Sequence, residues 1–233
     1  MDRTTHEGIV DRLKDPHELG CYMEDCDNYT PTLSARILGS ILVGTGTLLY
    51  GKEPSYEKFK AVEVIARIPY QSWEAVAYTL LTSFYSNEAR AIRLSKILPF
   101  ARHAQDNETM HVIVISQIVK AHGRNNFLLH TLIPILFSFF YYWAVWVVSM
   151  FERKVAFELN YLFEQHAYDQ YTAFIEREGE KLKQLPVKSA FLEFYGRTVS
   201  NEYELFNSIR LDEIIHRNCS LVMVRELEKG RLM

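Results

Sequence analysis

Two Glu-x-x-His tetrads, Glu108 to His111 and Glu213 to His216, lie about a hundred residues apart in a chain of 233, each following a lone glutamate, Glu63 or Glu164, by nearly the same interval. On a helix, positions i and i+3 are neighbours on one face, so each tetrad aims an oxygen and an imidazole nitrogen at a single point. A random shuffle of 21 Glu and 8 His gives about 0.7 such tetrads, so the pattern draws its weight from what surrounds it. Each candidate sits on an apolar stripe of helical period: Glu63 with Phe59, Ala66, Tyr70 and Ala77; Glu108 and His111 with Ala104, Ile115 and Ile118; Glu164 with Phe157, Tyr161 and Tyr171; Glu213 and His216 with Phe206, Ile209 and Met223. Four carboxylates turned inward on four helices demand cations, because an unpaired charge is costly to bury. Two Fe(II) ions carry four positive charges, which match four glutamates while both imidazoles stay neutral. Hard oxygen with imidazole also suits iron or manganese better than a thiolate-seeking metal.

One Glu from each of two helices and one Glu-x-x-His from each of two others is the ligand inventory of ferritin-like di-iron bundles. The predicted fold is therefore all-α, a ferritin-like di-iron four-helix bundle with two additional membrane-surface helices. Six helical segments are predicted, about 33–50, 55–85, 88–122, 126–150, 152–178 and 200–227, broken by Gly51-Lys52-Glu53-Pro54, Gly123, Gly179 and Pro186. Residues 1–30 are polar, acidic and irregular and read as a loosely ordered arm. They show no basic segment leading into an apolar one and no Arg-rich transit pattern. Residues 31–233 read as a single domain, since a chain 48% hydrophobic and 13% aromatic can bury one sizeable core and no low-complexity run divides it. A net charge of −3 gives no basic footprint for nucleic acid. Cys21, Cys26 and Cys219 form no CxxC pair and are expected as reduced thiols on a cytosolic side.

From Asn125 to Phe151 there is no Asp, Glu, Lys or Arg, which is long enough to cross a bilayer, where about 20 apolar residues suffice. The candidate ligands forbid a crossing. Glu63, Glu108 and His111 precede this stretch while Glu164, Glu213 and His216 follow it, so one passage would divide the site between the two sides. A helix lying in one leaflet fits, with the amphipathic 33–50 segment (Leu33, Ile37, Leu38, Ile41, Leu42, Leu48) beside it and Arg36, Tyr141, Tyr142, Trp143 and Trp146 at interfacial depth.

Four strings in order resemble the boxes of the alternative oxidases. Val62-Glu63-Val64-Ile65-Ala66-Arg67-Ile68-Pro69-Tyr70 is similar to their "LET…VP" segment, and Asp106-Asn107-Glu108-Thr109-Met110-His111 to "NERMH". Phe163-Glu164-Gln165-His166-Ala167-Tyr168-Asp169-Gln170-Tyr171 resembles the "EEEA…Y" box in its plastid and cyanobacterial form, and Leu211-Asp212-Glu213-Ile214-Ile215-His216-Arg217 resembles "RADEAHHR". The resemblance covers roughly 33–222 and is nearest the plastoquinol terminal oxidases.

That resemblance implies a membrane-bound quinol:O2 oxidoreductase that reduces O2 to water without pumping protons, with two Fe per chain on Glu63, Glu108, His111, Glu164, Glu213 and His216. Plastoquinol or ubiquinol would supply the electrons, and the protein would rest as a monotopic homodimer on the cytoplasmic or stromal face of a thylakoid or plasma membrane. Tyr171, two turns after Glu164 on the same face, would be the redox-active tyrosine that gives an electron and a proton when the O–O bond breaks. Asn107 and Asp212, each directly before a ligand glutamate, would hold ligand carboxylates or imidazoles. The quinone pocket would involve Lys58, Val62, Ala167 and Gln170. Lys58 stands where the family has arginine, keeping the charge but losing the planar fork, and Gln170 replaces a common threonine. His103, His122, His130 and His166 read as ordinary hydrogen-bonded histidines. Two other classes use parts of the same pattern: a di-iron quinone-ring monooxygenase, and a non-enzymatic membrane-surface helical protein.

Overall fold

Capping side chains and prolines set the helix ends. The computed structural model describes residues 1–122 and 126–232, so Gly123, read as a helix break, lies outside the described residues. Asp2 accepts from the Thr5 amide at the head of α1 (Arg3–Arg12), and Asp15 from His17 and Glu18 at the head of α2 (Pro16–Asp27). Helix α3 (Leu33–Tyr50) stops at Gly51, whose φ of 82° favours glycine. Ser55 caps α4 (Tyr56–Ala66), which ends where α5 (Ile68–Ser83) begins. The sequence predicted one helix over 55–85, but Pro69 has no N–H for the Ile65 carbonyl, so the ladder stops and restarts. The predicted 88–122 segment divides for the same reason into α6 (Glu88–Ser95) and α7 (Leu98–Ala121), with Pro99 in the first turn of α7. A turn of π-helix, Leu128–Leu132, leads into α8 (Ile133–Phe151), followed by α9 (Arg153–Leu182), α10 (Ala190–Tyr195) and α11 (Glu202–Glu228). The six-residue α10 was not foreseen, although Ser189 caps it and Gly196 at φ 89° ends it.

The bundle consists of the broken helix α4–α5 with α7, α9 and α11; α9 and α11 share the most extensive contact, and α4 and α5 pack on α7. Helix α8 lies along α5, α4 and α9, and α3 lies on α9. Gly39 permits that last approach, since a Cβ there would sit 3.2 Å from Leu162 Cδ1. The two largest apolar clusters among the described residues fill the bundle interior. One gathers Tyr70, Trp73, Phe100, Ala104, Phe157 and Val224, the other Phe59, Met110, Ile115, Tyr171, Phe174 and Phe206. The sequence positions place the Glu and His candidates between these clusters along α4, α7, α9 and α11.

The expectation of a loosely ordered arm over residues 1–30 is corrected by α1 and α2. Val10 and Leu13 are buried against Leu211, Ile214 and Ile215 of α11. Arg217 reaches Asp27 at 2.7 Å, the Asn218 amide donates to the Tyr22 carbonyl at 2.7 Å, and Tyr161 donates to the Cys26 carbonyl at 3.0 Å. Polar composition concealed these helices, whose packed apolar residues are few: Ile9 and Val10 on α1 and Leu19, Tyr22, Met23 and Cys26 on α2.

Helices α3 and α8 are the two described helices long and apolar enough to cross a membrane. Helix α8 buries Pro134, Ser138, Tyr141, Val145 and Ser149 along one stripe and exposes Ile135, Leu136, Phe139, Phe140 and Trp143 on the other. Helix α3 likewise exposes Leu33, Ile37, Ile41 and Leu48. Tyr141, expected at interfacial depth, is instead buried.

Candidate metal centre

Glu63 comes from α4, Glu108 and His111 from α7, Glu164 from α9, and Glu213 and His216 from α11. They converge as two overlapping buried groups, Glu63, Glu108, His111 and Glu213 in one and Glu108, Glu164, Glu213 and His216 in the other. Within each group the donor atoms lie within 4.8 Å of one another. All six predicted ligands are thus brought together, and Glu108 and Glu213 are common to both groups, a distinction the sequence did not reveal.

The donor set fits metal ions on its own chemistry. Glu63 Oε2, both oxygens of Glu108 and of Glu213, and Nδ1 of both His111 and His216 are buried without a hydrogen-bond partner among the described residues. His216 Nδ1 approaches Glu108 Oε1 at 2.9 Å and His111 Nδ1 approaches Glu63 Oε2 at 3.3 Å, contacts of charge rather than well-directed hydrogen bonds. Burial, reinforced by the charge of Glu108, raises the Glu63 carboxyl to about 7. Burial likewise raises Glu164 and, together with Glu108, Glu213. Burial opposes ionisation of Glu108 too, but His111 and His216 outweigh it and hold that carboxyl low. Crowded carboxylates of this kind take up protons unless cations neutralise them.

Around the cage, each half is held differently. His111 Nε2 lies 2.8 Å from Asp212 Oδ2, which leaves its Nδ1 for the cage. Asp212 also meets His6 Nε2 at 2.7 Å, the Arg197 guanidinium at 2.9 Å and the Asn107 amide at 3.3 Å, and Asn107 donates to the Tyr195 hydroxyl at 3.0 Å. Asp212 therefore stands against a ligand imidazole, while Asn107 reaches that imidazole only through Asp212. In the other half, Glu164 Oε1 accepts from Tyr70 at 2.6 Å and from Asn160 at 3.0 Å, and His216 Nε2 has no partner among the described residues. The Tyr171 hydroxyl donates to Glu63 Oε1, and its ring stacks on Phe59 at 4.1 Å. Burial, then the charge of Glu63, pushes this phenol well above its usual range. The sequence reading missed His6, Arg197, Tyr195 and Asn160 as partners; His6 and Tyr195 sit 206 and 88 residues from what they touch, and Arg197, though 15 residues from Asp212, precedes the helix that carries it, so no helical spacing marks them.

A cavity of about 150 Å³ adjoins the cage, lined from α3, α4, α8 and α9, with Glu63, Glu164 and Tyr171 in its wall. Lys58, Val62, Ala167 and Gln170 all line it. Lys58 is buried and its Nζ donates to the carbonyls of Gly51 and Lys52 at 3.0 Å each and to Gln170 Oε1 at 2.7 Å, so its three hydrogens are engaged. One histidine departs from the ordinary hydrogen-bonded reading: His103, whose Nε2 has no partner among the described residues, packs on His6 at 4.5 Å. His166 lines the cavity.

Fold and site together define a ferritin-like helical protein with a buried carboxylate and imidazole cage able to bind metal. The sequence profile of the alternative oxidase family matches residues 22–224, and the chain belongs to that family. A relative from Arabidopsis thaliana named ubiquinol oxidase 4, chloroplastic/chromoplastic, is 24% identical over 185 residues, 71% of this chain and 50% of the relative. The chain thus spans about half the length of that curated relative.

Proposed function

We propose that the protein is a membrane-bound quinol:O2 oxidoreductase that reduces O2 to water with electrons from quinol at a di-iron centre. The observation that carries this reading is the junction of cage and cavity: a mostly apolar chamber lined by α3 and α8 shares Glu63 and Glu164 with the cluster of six donors and has Tyr171, which donates to Glu63, in the same wall. Glu63, Glu108, His111, Glu164, Glu213 and His216 would hold two irons, which supply when bound the capacity for four-electron reduction of O2.

The chain's own groups supply the rest. Asp212 fixes the tautomer and plane of His111. Tyr171 keeps its proton against Glu63 and lies in the cavity wall, so an electron and a proton leaving this phenol travel a short way to the cage. Lys58 ties the turn after α3 to Gln170 of α9 and so shapes the chamber in which the quinol ring is held beside Val62 and Ala167. Those positions would also govern the choice between plastoquinol and ubiquinol.

Membrane attachment follows from the faces of α3 and α8. Helix α8 is packed along one whole side on a bundle that carries charges, so only its opposite side is free to enter lipid. A monotopic seat in one leaflet satisfies both sides, and an enzyme seated so has no route for pumping protons across.

The test is the detergent-purified chain assayed for iron and turnover. About two Fe per monomer are expected, with one O2 consumed for every two quinols, no peroxide released and the quinone ring unmodified. Iron-free protein that still oxidises quinol would sink the assignment, and a hydroxylated quinone would place the chain among monooxygenases.

A further inference from the structure

We propose that α1 is a working part of the metal site: His6, with the Glu7–Arg197 pair beside it, fixes the Asp212 carboxylate and, through it, the His111 imidazole. This inference rests on the proposed metal centre and extends it to a segment outside the family match, which begins at residue 22 while α1 ends at Arg12.

The geometry is a relay of contacts. His6 is fully buried and its Nε2 lies 2.7 Å from Asp212 Oδ1; the other oxygen of Asp212 lies 2.8 Å from His111 Nε2. Glu7, the next residue, holds Arg197 at 2.6 Å, and Arg197 in turn lies 2.9 Å from Asp212. A carboxylate offers about four lone-pair sites, and Asp212 meets donors on both oxygens. Its plane is therefore fixed by groups from α1, α7 and the stretch after α10. Val10 and Leu13 press the same helix onto Leu211, Ile214 and Ile215, the residues that flank Asp212 and Glu213. Without His6, the Arg197 fork still holds both oxygens of Asp212, but Oδ1 loses the donor that opposes that fork, so the carboxylate can swing about it and the imidazole on Oδ2 gains freedom to tilt. His6 is thus a positioning residue that reaches His111 only through Asp212, while its ring also packs beside that of His216 at 5.8 Å.

The experiment uses the full chain, iron-loaded in detergent, with two readouts besides activity: the rate of iron loss to a chelator and the Mössbauer spectrum of the bound iron. His6→Ala is expected to lose iron roughly tenfold faster, the lower end of what partners of ligating histidines contribute, and to shift the signal of one iron more than that of the other. His6→Gln, whose amide hydrogen can reach Asp212, should restore most of both. Val10→Ala, on the same helix but apolar, should leave the spectrum as in wild type. A wild-type spectrum and iron retention in His6→Ala would overturn the inference, as would a Val10→Ala variant that shifts the signal equally. Should His6→Ala not fold, Glu7→Gln carries the test with a smaller shift in the same direction, and no shift there overturns it. Wild-type protein that binds no iron would overturn the metal reading and this inference together, whereas iron-loaded wild type beside an unaltered His6→Ala overturns this inference alone.

Discussion

The half of the cage built on Glu63 and His111 and the half built on Glu164 and His216 use equivalent donors but opposite supports. The first is steadied through charge: His111 leans on Asp212, which is held by Arg197 and His6. The second is steadied by neutral groups, with the Tyr70 phenol and the Asn160 amide on Glu164 and no hydrogen-bond partner on the outer nitrogen of His216 among the described residues. A carboxylate behind an imidazole makes it a more basic ligand, while neutral donors on a carboxylate make that ligand less basic. Two irons in such a cage would differ in electron density even though the sequence motifs that bind them look alike. The difference also falls on the tyrosines, since Tyr171 meets Glu63 in the charged half and Tyr70 meets Glu164 in the neutral half.

The largest effect is expected where the halves cannot be told apart. Glu108 and Glu213 belong to both donor groups, so Glu108→Ala or Glu213→Ala should take iron from about two per chain to nearly none and abolish O2 uptake. Iron analysis of the purified variants checks this. Retention of one tightly bound iron would show that the halves are independent and that neither glutamate is shared.

Next comes the comparison of phenols. Tyr171→Phe removes one O–H and keeps the ring that stacks on Phe59. Iron content and fold should persist while quinol-dependent O2 uptake falls at least a hundredfold, a loss of about 2.7 kcal/mol or more in transition-state stabilisation. Tyr70→Phe should cost far less, because Tyr70 does not line the cavity and Glu164 keeps Asn160. Equal losses in the two variants would mean that both phenols serve only to hold carboxylates.

Much of this arrangement was legible in the chain and some was not, for physical reasons. The ligands were readable because metal coordination within one helix imposes i, i+3 spacing, and because four acids on apolar stripes can be buried together only if cations or protons neutralise them. The apolar surfaces of α3 and α8 were readable from hydropathy alone. Pro69 marks the division of 55–85 only ambiguously, since proline is tolerated in the first turn of a new helix as well as in a loop. What could not be read were partners separated by long stretches of chain: His6 and Asp212 are 206 residues apart, and no local pattern links them. Helix α1 escaped for a related reason, being a ten-residue helix whose order depends on α11 rather than on its own propensity.

The smallest expected effect lies in the neutral half. Asn160 donates to Glu164 at 3.0 Å and lies 3.0 Å from Ser220 Oγ, but Glu164 Oε1 also has Tyr70, and Ser220 also donates to the His216 carbonyl at 3.0 Å. Each partner of Asn160 therefore keeps another hydrogen bond when the amide is removed. Asn160→Leu preserves most of the volume and removes the polar group, so the cost is that of a lost buried hydrogen bond, about 1–3 kcal/mol. Thermal unfolding of the iron-loaded variant should show that modest loss, with both irons retained and turnover lowered only a few-fold. Glu63 has no such reserve, because Tyr171 is the sole hydrogen-bond donor on its Oε1 among the described residues. If Asn160→Leu instead released an iron as readily as a ligand variant does, the neutral half would be no better buffered than the charged one, and the asymmetry between them would lie in their chemistry alone rather than in how firmly each is held.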